Sequence, residues 1–130
     1  MGNAISSLWK GITYKGGPGH YAFILHRVTG IGVALFVTLH IVDNFIVMFG
    51  EEAFSEVLHL YSNPVMRLLE VFLIFSVIYH AFNGLRVIIM DFWAPSSHVQ
   101  RTLWWLVWVI VIPLSLIAAW FTLAPIFGLR

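Results

Sequence analysis

Three apolar runs occupy most of this 130-residue chain, and each is long enough to cross a bilayer. A hydrocarbon core of about 30 Å needs roughly 20 residues of helix. Lipid offers backbone groups no hydrogen bonds, so such runs close their own and become helices. The first is expected from about Tyr21 to Phe49, after Gly16-Gly17-Pro18-Gly19 and before Gly50-Glu51-Glu52. The second is expected from about Val65 to Phe92, between Asn63-Pro64 and Ala94-Pro95-Ser96-Ser97, and the third from about Leu103 to Phe127. Pro113 should kink the third. Trp93, Trp104, Trp105 and Trp108 read as part of an interfacial aromatic belt. The expected fold is an all-α integral membrane protein, with residues 1–130 forming one membrane-anchor domain of three transmembrane helices. Residues 51–62 have helical periodicity and are expected along the outer surface.

Loop charge sets the orientation. Lys10 and Lys15 precede the first run and Arg101 lies before the third, whereas Glu51, Glu52 and Glu56 follow the first without a cation. The positive-inside rule places the N-terminus in the cytoplasm, with Arg130 a weak counter-signal. The start lacks the features of a cleaved leader or transit peptide, which points to a prokaryotic plasma (inner) membrane, crossed several times.

Composition narrows the function classes. The chain is 60% hydrophobic and 10% charged, with a mean hydropathy of +0.90, outside the globular range. It has no cysteine, which excludes disulfides, thiolate metal sites and cysteine-held iron–sulfur clusters from its own residues. A net charge of +1 gives no reason to expect nucleic acid. Three spans leave no room for a substrate-processing domain, so a non-catalytic membrane subunit is expected.

The polar residues inside the runs carry the functional signal. His80 lies deep in the second run, followed by Gly84, Arg86 and Asp91. An ionisable side chain at that depth is costly and by default marks a function, and imidazole is a usual axial ligand of haem iron. In the first run His26, Gly30, Val33, Val37 and His40 share one helical face. A glycine one turn from each histidine leaves space for a flat ligand or a close partner backbone. His26, Arg27, Arg86 and Asp91 are expected to collect near the cytoplasmic face, with His80 near the midplane and His40 in the outer half. Such a cluster could hold propionates or a quinone carbonyl. Plainer readings stand beside these. His80 and His40 could make structural hydrogen bonds, the latter to Asp43. His26 and Arg27 could lie at headgroup level, and Arg86 and Asp91 could be an end-of-helix pair.

His26-Arg27-Val28-Thr29-Gly30 and His80-x3-Gly84-x-Arg86-x4-Asp91, in this order, resemble the cytochrome b membrane-anchor subunit of succinate dehydrogenase (succinate:quinone oxidoreductase). The resemblance covers about residues 17 to 92. It implies a haem b-binding anchor that passes electrons from an iron–sulfur subunit to membrane quinone in respiratory complex II. It also implies a flavoprotein subunit and a second hydrophobic anchor completing a larger helix bundle. By the same resemblance His80 is an axial ligand of haem iron, and His40 is similar to the ligand of a second haem in two-haem relatives. His26, Arg27 and Arg86 would hold propionates or line the quinone site. Arg27, Asp91 and Phe23 would belong to the quinone site, Phe23 standing where many relatives have serine. His40 and His80 on one iron would need equal depth, and the expected boundaries put them about 7 Å apart. The alternatives are a fumarate reductase anchor, another membrane cytochrome b, or a haem-free structural anchor.

Overall fold

The computed structural model describes residues 5–7, 9–10, 16–93 and 97–129, the side chain of Ser97 excepted. Lys15, Ala94, Pro95, Ser96 and Arg130, used above for orientation and boundaries, lie outside the described residues. Helix α1 spans Pro18–Ile46 and is extended by a 3-10 turn, Val47–Phe49. A short helix α2 spans Glu51–Tyr61, α3 spans Pro64–Trp93, and α4 spans Ser97–Leu123, followed by a 3-10 turn over Ala124–Phe127. Helices α1, α3 and α4 are each long and apolar enough to cross a membrane. There is no strand among the described residues.

Cap chemistry explains where the helices begin. Pro18 stands in the first turn of α1, where its missing N–H costs nothing and its ring pre-sets φ. The break is therefore at Gly17, and the helix starts three residues before the expected Tyr21. At α3 the Asn63 side-chain oxygen accepts the Val65 N–H at 2.9 Å, just ahead of Pro64. Between α1 and α2, Gly50 adopts φ 105°, which side chains disfavour. Helix α4 runs on through Pro113.

Helix α3 packs between α1 and α4, which touch each other less. Tyr79, Val107 and Val111 are the apolar centre of the α3–α4 contact, with Trp108 tilted over Tyr79 at 5.4 Å. Burial is inverted relative to a water-soluble bundle. Thr29, Asn83 and Arg86 are buried, while Phe23, Ile31, Ile41, Phe72, Val109 and Leu116 are exposed. Apolar side chains can face lipid tails or partner helices, whereas polar groups must find one another inside.

Helix α2 is held back on the bundle by Tyr61, whose hydroxyl donates to the Asp43 carboxylate at 3.0 and 3.1 Å. Burial first, then Asp43 and Glu70, push the Tyr61 phenol above its ordinary value. A raised folded value means the unfolded phenol ionises first as pH rises. The stabilisation is therefore intact below about pH 10 and lost as pH climbs through the folded value. Tyr61→Phe is expected to destabilise the assembled protein at pH 8 by no more than about 1 kcal/mol for a half-exposed pair, read as a lower melting temperature. The difference should begin to shrink above about pH 10 and be lost as pH passes through the raised folded value. A difference constant across pH 8–11 would refute the role given to this hydrogen bond.

Candidate functional site

The seam between α1 and α3 is built on one spacing used twice. His26 and Gly30 are four apart on α1, and His80 and Gly84 are four apart on α3. The helices run antiparallel, so each histidine meets the other helix's glycine. A Cβ on Gly30 would lie 3.1 Å from His80 Cε1, and one on Gly84 would lie 3.6 Å from His26 Cε1. The two imidazoles stack with centroids 4.0 Å apart and planes 11° from parallel. The space that the glycines were expected to offer a flat ligand is thus taken by the two rings. His26 and His80 lie at the same level of the bundle.

The contact also fixes the chemical form of His80. Its Nδ1 lies 3.1 Å from the main-chain oxygen of His26. A carbonyl oxygen only accepts, so Nδ1 carries a hydrogen, and in the neutral ring this is the tautomer that leaves the lone pair on Nε2. This is the form an iron-binding imidazole takes, with its other nitrogen held by a carbonyl behind it. The His26 oxygen has a second neighbour in the buried Thr29, whose hydroxyl lies 3.2 Å from it and 2.7 Å from Leu25 O. On His26 itself, Nδ1 is buried without a hydrogen-bond partner.

Arg86 is 4% exposed and faces α4. Its Nη1 donates to Asn83 Oδ1 at 3.3 Å, and its guanidinium lies 5.9 Å from the Trp104 ring. Nε and Nη2 are buried with no partner, as is the Tyr79 hydroxyl. These two nitrogens share the edge of the guanidinium that grips a carboxylate with two parallel hydrogen bonds. An unpaired buried cation is expensive, so this edge is suited to an anion brought by another molecule.

The remaining candidates do not join this cluster. Arg27 points outward and lies over the Phe23 ring at 5.5 Å, both side chains exposed. Asp91 is exposed at the end of α3 and is not paired with Arg86. The expected gathering of His26, Arg27, Arg86 and Asp91 is therefore replaced by three groupings: a stacked pair inside, a buried guanidinium toward α4, and an exposed Phe23–Arg27 pair.

His40 lies in an open cleft of 290 Å³ lined by Phe36, Asp43, Leu58, Tyr61 and Glu70 among others. Its ring stacks on Phe36 at 5.7 Å, and Asp43 is engaged by Tyr61. The register that sets Gly30 against His80 sets His40 beside Glu70. His40 is ten residues beyond Gly30, about 15 Å along α1. That is twice the separation expected from the span boundaries, and it removes the option of His40 and His80 binding one iron within this chain.

Reasoning from sequence missed Thr29, Tyr79, Asn83 and Trp104 as members of the site. Asn83 carried a usable signal, since a polar amide deep in an apolar run seeks a partner inside the bundle. Tyr79 and Trp104 carried none, because aromatic residues are abundant in all three spans.

Residues 10–121 match the family described as succinate dehydrogenase/fumarate reductase transmembrane subunit. The chain is 33% identical to the succinate dehydrogenase 2 membrane subunit of Mycobacterium tuberculosis over 94 residues, which is 72% of this chain and 69% of that protein. It is also 31% identical to the succinate dehydrogenase hydrophobic membrane anchor subunit of Archaeoglobus fulgidus over 70 residues, covering 54% of this chain and 60% of that one. The chain belongs to the succinate dehydrogenase/fumarate reductase transmembrane subunit family, as a multi-pass membrane anchor of that complex.

Proposed function

We propose that this anchor binds haem b through His80 and serves electron transfer from the iron–sulfur subunit of a succinate dehydrogenase to membrane quinone. The observation that carries the reading is the Nδ1 contact to the His26 carbonyl, which leaves Nε2 of a membrane-embedded imidazole as a lone-pair donor. Haem bound there supplies a one-electron store beside the quinone site. The second axial ligand would come from a second hydrophobic anchor subunit. The unfilled edge of Arg86 suits a propionate carboxylate. The exposed Arg27, with Phe23 beside it, would present a cation to a quinone carbonyl, and Asp91 would support that end of the site.

His26 takes a different part from the propionate or quinone contact implied by resemblance. Its ring backs the His80 imidazole and its carbonyl holds Nδ1. His40, in its own cleft, would serve a second haem with a partner ligand. Lys10 and Arg101 flank the spans at one end, and Glu51, Glu52 and Glu56 lie at the other, which supports an N-terminus on the cytoplasmic side of a prokaryotic plasma membrane. The soluble flavoprotein and iron–sulfur subunits would then dock at the cytoplasmic face.

The test is the haem-to-flavin ratio of the gently solubilised complex, from its reduced-minus-oxidised spectrum and a flavin assay. Two haems per flavin support His40 and His80 as ligands of separate irons. One haem keeps His80 and returns His40 to a structural role. No haem, with flavin retained, overturns the reading.

A further inference from the structure

We propose that Thr29, acting through the main-chain carbonyl of His26, is a positioning residue that tunes the His80 imidazole. The inference rests on His80 being a haem ligand and concerns what sets the strength of that ligand.

Three donors converge on one oxygen. The helix supplies the Gly30 N–H to His26 O as its ordinary i to i−4 bond. From across the seam comes His80 Nδ1–H at 3.1 Å, and from within α1 the Thr29 hydroxyl at 3.2 Å. The hydroxyl is bifurcated, with its shorter branch of 2.7 Å to Leu25 O. Thr29 is 3% exposed, so no water replaces it when the bundle is closed. A hydroxyl that bonds back to the preceding turn also tilts the carbonyls of that turn, which here are those of Leu25 and His26.

The consequence for His80 follows from how a carbonyl shares its lone pairs. Each added donor weakens the others' claim on the oxygen. The Thr29 hydroxyl therefore softens the His80 Nδ1–H···O bond and keeps the ring closer to neutral imidazole. Without it the carbonyl draws harder on Nδ1–H, the ring gains imidazolate character, and Nε2 becomes a stronger donor. A stronger donor favours the ferric over the ferrous ion and lowers the midpoint potential. The stacked His26 ring keeps the His80 ring in one plane.

The experiment is a redox titration of the haem in the intact membrane complex, comparing wild type with Thr29→Val and Thr29→Ser. Valine keeps the shape and loses the hydroxyl, and serine keeps the hydroxyl. Thr29→Val is expected to retain wild-type haem content and titrate at a lower potential, with Thr29→Ser returning to the wild-type value. Equal potentials in all three overturn the positioning role and leave the haem assignment standing. A shift shared by valine and serine also overturns it, since packing and not the hydroxyl would then be the cause. If Thr29→Val does not assemble, Thr29→Ala bears the same comparison. A wild-type complex with no haem overturns this inference together with the reading on which it rests.

Discussion

His80→Leu is expected to remove one haem per flavin from the complex without preventing its assembly. Leucine has nearly the bulk of imidazole and suits the interior of a bundle, so it should leave no void of consequence. It also leaves no orphan behind, because the His26 carbonyl keeps the helical Gly30 N–H and the Thr29 hydroxyl. What goes is Nε2, and with it the axial bond proposed for it. His26→Phe makes the matched control. It retains a flat ring against His80, where the two now stack at 4.0 Å, and it leaves the main-chain oxygen that holds Nδ1 untouched. It also removes a buried Nδ1 that has no partner. The His26→Phe complex should therefore keep its haem, with altered spectroscopic detail. If His26 instead held a propionate, His26→Phe would lose haem nearly as fully as His80→Leu. Retention of full haem by His80→Leu would end the ligand assignment altogether. Both are read from the reduced-minus-oxidised spectrum against flavin.

How much of this was legible beforehand depends on the kind of signal. The three spans were, because a run of twenty apolar residues is a length signal that needs no partner to interpret. The boundaries moved by a few residues because capping is local chemistry that a hydropathy reading passes over: Gly17-Pro18 starts α1 early, and Asn63 caps α3 through Val65. The depth at which α1 meets α3 was not legible. Both helices are apolar nearly all round, so neither hydrophobic pattern picks a register. The code was present all the same, in the matching four-residue spacing of His26-Gly30 and His80-Gly84, which an antiparallel pair satisfies at one register. Each half was read as room for a flat ligand or a close partner backbone, because the other half was not set against it. Arg86 was misplaced for a related reason. It lies on the Tyr79–Asn83 side of α3, away from the His80–Gly84 face, and only the packed bundle shows that this side meets Trp104 of α4.

The same register gives the seam a sharp order of tolerance to added methyl groups. Gly32→Ala is expected to be the most damaging substitution on α1, because its Cβ would lie 2.6 Å from Ser76 Oγ and 2.7 Å from Ser76 Cβ. The hydroxyl can rotate away, but the Cβ is fixed to the α3 backbone. Carbon atoms rest at about 3.5–4.0 Å, so the helices must part by nearly 1 Å. Overpacking of this kind typically costs about 1–3 kcal/mol. Here it reaches further, because Gly32 is only about 3 Å along α1 from Gly30. Parting the seam stretches the 3.1 Å contact between His80 Nδ1 and the His26 carbonyl beyond hydrogen-bond range. Haem should then be lost or loosely held as well. Gly30→Ala comes next, since its Cβ would meet His80 Cε1 at 3.1 Å and the ring cannot yield without releasing Nδ1. Gly84→Ala should be tolerated, its Cβ reaching His26 Cε1 at an ordinary 3.6 Å. Melting temperature and haem content of the purified variants check the order. Ser76→Gly supplies the decisive comparison: by removing the fixed Cβ it should restore both properties to Gly32→Ala. If the double variant is no better than Gly32→Ala alone, or if Gly84→Ala is as damaging as Gly32→Ala, the antiparallel register that brings His80 onto the His26 carbonyl is wrong.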